Sequence, residues 1–278
     1  VNIEGVIAID FATFLFAFMT LLVVKFPQIK SSELDTEKIN SFLKDATYGW
    51  NYITARPGLL VMVVFFAITN FSIGIAQVLF PPMVLNFADA QTLGKIMSIG
   101  GSGMLVGSIF MSLWGGFKRQ INGVLIFEIL LGLGILLAGI KPNPLLVTAG
   151  AFIFFFCVPI IIGSSNAIWH TKVHPEVQGR VFATRGMICW SSFPLAFLVA
   201  GPMADHIFNP LLAPGGLMTE TIGLFVGSGF GRGIGLLFVL LGAAIILITL
   251  IASNYPRLRL VEDELPDAVS QQEFSKTE

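Results

Sequence analysis

Charge is what this chain has least of. Of its 278 residues only 12% are charged, where an average soluble domain carries about 25%. So few charges cannot furnish an ordinary water-facing surface, which excludes a water-soluble globular domain. Cysteine is nearly absent as well: Cys157 and Cys189 are the two, and both sit inside apolar runs. They read as small buried residues, not as a disulfide framework or a metal cluster. No Walker loop, serine nucleophile elbow or cysteine cluster occurs. Enzymatic catalysis therefore has no support, and no cofactor or metal is expected. The net charge of −1 brings no basic excess, and no nucleic-acid partner is expected. Alternating segments of about ten residues, the mark of a transmembrane barrel, are missing too.

What is present is apolar. Hydrophobic residues make up 55% of the chain, with 26 Phe and 29 Gly. Glycine is frequent in membrane helices, where it lets backbones approach closely. Seven apolar runs lie at about 5–24, 58–79, 96–114, 121–140, 145–169, 181–204 and 231–253. Each is near the roughly 20 residues that a helix needs to cross a bilayer core. The expected fold is an all-α polytopic membrane protein with seven transmembrane helices. Pro27, Pro81-Pro82 and Pro142 are read as stops. A Gly/Pro-rich loop is expected over 205–230.

One long polar stretch, 25–57, separates the first run from the other six. Between Lys25 and Arg56 it carries five basic and four acidic residues. From Ile39 its apolar residues fall at Ile39, Phe42, Leu43, Ala46, Trp50 and Ile53, the period of an amphipathic helix. Such a helix, with Trp50 and Tyr52 near its end, is expected to lie along the headgroups. Numbering the loops alternately puts thirteen of the sixteen Lys and Arg on one side and three on the other. Basic residues are retained in the cytoplasm, so 25–57 and the C-terminus are expected there. The last stretch, 254–278, reads as a polar, disordered tail. Val1 has no Met or charged n-region before the first run, so that run is not a signal peptide. Val1 reads as a position inside a longer protein.

Ionisable groups within the runs are costly and so are functional candidates. Asp10 lies a few residues into the first run, and Glu128 about seven residues into the fourth. Either could take up and release a proton, or hold neighbouring helices together. Asn70, Gly74 and Gln77 share one helix face. With Asn166, Trp190, Ser191 and Ser192 they could line a polar cavity or bond between helices. Pro159 and Pro194 interrupt neighbouring runs, as helices at transporter sites do. Gly103 with Gly107, and Gly231 with Gly235, form G-x-x-x-G pairs that read as tight helix packing. Gly229 to Gly235 has no preceding strand and is no phosphate-binding loop. His170 and His174 lack a third ligand and do not make a metal site.

Six runs after a charged loop make half of a twelve-helix transporter, with one run of the other half before it. The segments ARPGLLVMVVFFAITNF, QGRVFATRGMICWSSFPLAFLVAGPMADHIF and NYPRLRLVEDELPD resemble the major facilitator superfamily, and within it bacterial exporters of the macrolide-efflux kind. The resemblance implies that 1–24 corresponds to the family's sixth helix, 25–57 to its cytoplasmic linker and 58–253 to its C-terminal six-helix half. It implies drug:proton antiport by alternating access in a bacterial plasma membrane. The implied partners are the lipid bilayer, a small amphiphilic substrate, protons, and the missing N-terminal helices. A non-transporting module or a degenerate fragment is the alternative. The family's cytoplasmic turn carries an acid, but here it reads Trp114-Gly115-Gly116-Phe117-Lys118-Arg119 without one. Lys118, Arg119, Arg180 and Arg185 are the candidates for a cytoplasmic gate.

Overall fold

The computed structural model describes residues 3–23, 38–216, 218–227, 229, 231–264, 267 and 268. The chain divides into two compact units, Val1–Phe42 and Leu43–Glu278. In the first, α1 (Ile3–Val23) is a helix of 21 residues, about 31 Å long at 1.5 Å per residue. Its side chains from 10 to 20 are exposed, with Phe14 stacked on Phe18 at 6.3 Å. The expected linker falls partly outside the described residues, at 24–37.

The second helix, α2 (Lys38–Thr54), is where the periodicity placed one. From Lys44 on, its buried positions are Gly49 and Ile53, while Trp50 is 46% exposed. Then come α3 (Pro57–Leu85), α4 (Ala90–Trp114), α5 (Gln120–Ile140), α6 (Pro144–Lys172) and α7 (Gln178–Pro202). A short π-helical turn, Met203–Phe208, leads to α8 (Asn209–Leu212), followed by α9 (Gly223–Val226) and α10 (Arg232–Asn254). Two single turns, α11 (Pro256–Arg259) and α12 (Val261–Glu264), close the described order. Among the described residues there is no strand, and six helices are long and apolar enough to cross a membrane.

Two expectations are corrected. Pro81 and Pro82 do not end the second run; α3 continues through both to Leu85. A proline removes one N–H and crowds one carbonyl, and membrane helices absorb that loss because neighbouring groups re-satisfy the backbone. Nor is 205–230 a loop throughout, since the chain stays helical to Leu212. Its apolar residues Ile207, Leu211 and Leu212 keep a helical spacing, and Leu212 is fully buried with Val226 and Leu236.

Helix starts follow local chemistry. Asp89 caps α4 by accepting from the Thr92 N–H at 2.8 Å, and those hydrogen bonds hold its carboxyl below the usual range. Asn143 accepts from the Leu145 N–H at 2.8 Å, and proline opens both α3 and α6. The helices pack in the series α4–α6–α5–α10–α3–α7, with α6 gripped by α4 and α5. α4 and α7 stand at the ends of this series and keep the largest exposed apolar faces.

The expected G-x-x-x-G packing is found at Gly103 and Gly107, which are buried against the backbone of Phe152 and Phe156 on α6. Gly235 meets the carbonyl of Gly139, so α10 and α5 approach equally closely. Gly231 does something else. It takes φ +77° as the residue before α10, a conformation that favours glycine.

Candidate functional site

One end of the second unit gathers most of its charge: the end that holds the start of α5 and the last turn of α6. α5 opens on Arg119, which offers no side-chain cap, so its first N–H groups need a partner. Glu262 of α12 supplies it from 142 residues away. Its carboxylate accepts from Gln120 N at 3.1 Å and Ile121 N at 2.9 Å. A carboxylate here also faces the positive end of the helix dipole. Beside it Arg119 pairs with Asp263 at 3.0 Å, and Arg257 with Glu264 at 3.2 Å. Lys172, in the last turn of α6, is 8% exposed; it donates to the Glu262 carbonyl and to Asp267 at 2.6 Å. Ala268 N donates to Thr171 O at 2.9 Å. The acid missing from the α4–α5 turn is thus provided by the stretch after α10. Part of the segment read as a disordered tail, 256–264, is helical and docked by Leu258 and Val261, both fully buried; residues 265, 266 and 269–278 lie outside the described set.

This yields a first expectation. Glu262→Ala leaves two helix-start donors bare and lowers stability by about 1–2 kcal/mol, the usual worth of a cap. Glu262→Gln keeps an acceptor and recovers part of it. Thermal unfolding of the purified protein in detergent measures both.

The other gate candidates behave differently from one another. Lys118 is exposed. Arg180, at the start of α7, pairs with Asp45 of α2 at 3.0 Å and lies 5.5 Å from the Tyr48 ring centre. Thr184 Oγ1 donates to Ala46 O at 3.4 Å, and Gly49 is packed on the same turn of α7. The second half of α2 is therefore fastened to α7. Arg185 reaches across to α6. It donates from Nη1 to Asn166 Oδ1 at 3.2 Å and from Nη2 to Ser165 Oγ at 2.8 Å, with its guanidinium 4.9 Å from the Trp169 ring centre.

The polar residues expected to line a cavity separate into two kinds. Asn70 donates to the Cys189 carbonyl at 3.2 Å, and Gly74 lets α7 close in against Ala196 and Phe193, so both join α3 to α7. Ser192 is buried. Gln77, Asn166, Trp190 and Ser191 are exposed, Trp190 at 70% and stacked on Phe193 at 5.5 Å. Asp10 is exposed on α1.

Glu128 is the exception. It is 2% exposed in the middle of α5, and its Oε2 has no hydrogen-bond partner among the described residues. A carboxyl in such a place is stable only when it carries a proton or finds a partner. His170 touches Gln178 and the Phe182 ring, and no metal-binding group of three or more His, Cys, Asp or Glu occurs among the described residues.

Sequence reasoning missed three groups: Lys172, Glu262 and Arg232. Arg232 opens α10 yet is 8% exposed, and it donates to the carbonyls of Gly139, Ile140 and Val226. The only signal in the sequence was an arginine at the second position of a strongly apolar run.

Six apolar helices tied end to end, with charge gathered at one end and a lone carboxyl in the middle, define an all-α polytopic membrane protein. Comparison with curated proteins narrows the class. The chain is 24% identical over 217 residues to macrolide efflux protein A of Streptococcus pyogenes, matching 74% of this chain and 51% of that one. It is 25% identical over 205 residues to macrolide efflux protein A of Enterococcus faecalis, matching 70% of this chain and 61% of the relative. The multidrug efflux pump Tap of Mycolicibacterium fortuitum is 24% identical over 159 residues, or 56% of this chain and 39% of the pump. The chain spans about half the length of the curated relatives it matches. No protein-family model and no solved structure matches it. The resemblance to macrolide-efflux-type exporters is borne out by these relatives.

Proposed function

We propose that this chain is the C-terminal part of a membrane exporter that moves small amphiphilic compounds out of a bacterial cell. The observation that carries the reading is the similarity to efflux proteins across 74% of a chain that has six helices long and apolar enough to cross a membrane. In this reading α1 is the last helix of a first six-helix half, the stretch to Arg56 is the cytoplasmic linker, and α3 to α10 supply the second half. The exposed apolar faces of α4 and α7 suit the surface that a first half would cover. The protein sits in the plasma membrane with the Glu262–Lys172 end in the cytoplasm, since thirteen of sixteen basic residues fall on that side.

Alternating access opens the two ends of such a transporter in turn. The acids of 262–267 and the bases Arg119 and Lys172 hold the cytoplasmic end of this half together through the cycle. Arg180, paired with Asp45, couples the linker helix to α7 and makes the linker part of the gate. Glu128 carries the coupling proton. Unpartnered and enclosed, it takes up a proton from one side and releases it when the helices around it shift.

The test uses the full-length protein with its preceding helices, expressed in a bacterial strain lacking its own efflux pumps. Active efflux of a macrolide or another amphiphilic dye, abolished by a protonophore, is expected. Glu128→Gln, which cannot exchange the proton, is expected to reduce that efflux to background while the protein still reaches the membrane. Unchanged proton-driven efflux in this variant removes Glu128 from the mechanism. No efflux of any compound by the intact protein favours a non-transporting module.

A further inference from the structure

Four cations at the charge-rich end have acids beside them: Arg119 with Asp263, Lys172 with Asp267, Arg180 with Asp45, Arg257 with Glu264. Arg185 has none among the described residues. It lies seven residues into α7, about 10 Å below the helix start at 1.5 Å per residue. Asn166 lies six residues before the end of α6, about 9 Å down by the same rise, so the two meet at one depth. The guanidinium does not snorkel back toward water but reaches sideways to Ser165 and Asn166. A cation at such depth with only neutral acceptors is costly.

The donors around it are only partly used. A guanidinium has five N–H groups, and two are spent on Ser165 and Asn166. Because Asn166 accepts through Oδ1, its Nδ2 donors are turned to other use, and Asn166 is exposed. One turn toward the helix end, His170 is exposed on the same stripe of α6 and touches Phe182, which stands one turn before Arg185. One turn in the opposite direction the stripe becomes apolar at Ile162, 52% exposed. Read from the helix end inward, the seam offers imidazole, amide and guanidinium, then hydrocarbon.

We propose that Arg185 and Asn166, with His170 at the rim, form a headgroup site for an anionic amphiphile: a carboxylate or phosphate monoester on an alkyl chain. The guanidinium binds two oxygens of the headgroup in the planar, bidentate manner that favours arginine over lysine. The chain lies inward over Ile162. That the ligand is cargo rests on the exporter reading, whereas its binding does not.

The experiment titrates dodecyl phosphate into the purified chain in dodecyl maltoside and follows tryptophan fluorescence, since Trp169 lies beneath the guanidinium. Saturable binding is expected, about tenfold or more weaker in Arg185→Gln, from the loss of a charge-assisted hydrogen bond. Arg185→Lys is expected to bind in between, and Asn166→Ala about threefold more weakly than the parent. These two variants serve if Arg185→Gln does not fold. Inorganic phosphate should give no response, because it lacks the chain. Nanodiscs of phosphatidylglycerol and of phosphatidylcholine separate the sources. If only the former suppress the response, a lipid headgroup is the occupant; if neither does, it is a free amphiphile. Equal binding by Arg185→Gln, or equal binding of dodecyltrimethylammonium, overturns the proposal. So does a full-length protein that no longer responds, because an acid of the preceding half then fills the site. Efflux without binding removes this site alone, and binding without efflux removes the exporter reading alone.

Discussion

Gly103→Val is expected to abolish the folded bundle. A Cβ added at Gly103 would stand 2.5 Å from the Phe152 carbonyl oxygen and 3.2 Å from the Phe156 nitrogen. Both are backbone atoms, so no rotamer change relieves the clash, and α4 must move away from α6. That contact is the principal one α4 makes. Overpacking costs about 1–3 kcal/mol where side chains can shift; against backbone the expected loss is at the top of that range or beyond. Gly101, two residues away, has nothing within 4 Å of the same position, and Gly101→Val is expected to leave stability nearly unchanged. Size-exclusion profiles and thermal unfolding in detergent compare the pair. Equal behaviour of the two variants would show that small residues in α4 are not what admits α6.

Arg232→Met is expected to cost about 3 kcal/mol, at the other end of the bundle. α5 ends at Ile140, and the last carbonyls of a helix have no partner within it. Arg232 donates to two of them, Gly139 O at 3.2 Å and Ile140 O at 3.1 Å, and also to Val226 O of α9. A cation at a helix C-terminus also meets the negative end of the dipole. Hydrogen bonds to a charged group are worth about 1.5–3 kcal/mol each, and methionine leaves all three acceptors bare inside the fold. Lysine restores the charge but not the fork and should recover only part. Unfolding by titrated denaturant gives the size of each effect. A loss below about 0.5 kcal/mol for methionine, the ordinary scale of surface substitutions, would mean that water already serves these carbonyls.

Much of this was legible in the residues. The span positions, the helix over Ile39–Ile53 and the role of Gly103 with Gly107 follow from periodicity and size, which are local properties. Asn70 and Gly74 were correctly grouped on one face, because a helix fixes neighbours three and four apart. What those residues touch was not legible. Asn70 meets a backbone carbonyl on α7, 119 positions away, and no local pattern encodes such a distance. Proline was misleading in α3, because prolines that would end a helix in water are tolerated inside membrane helices.

The sequence by itself determined that this is an all-α membrane protein, where most helices lie and that few charges enter them. It could do so because burial in lipid demands long apolar runs, and runs are read residue by residue. The tertiary structure alone decided which charges are paired. Glu262 and Asp263 looked like a solvated acidic tail, yet they cap and neutralise the start of α5. Arg185 looked like its basic neighbours, yet it alone among those compared lies deep without an acid. Pairing depends on helices that are distant in sequence meeting at one depth, and only the packed bundle fixes that depth.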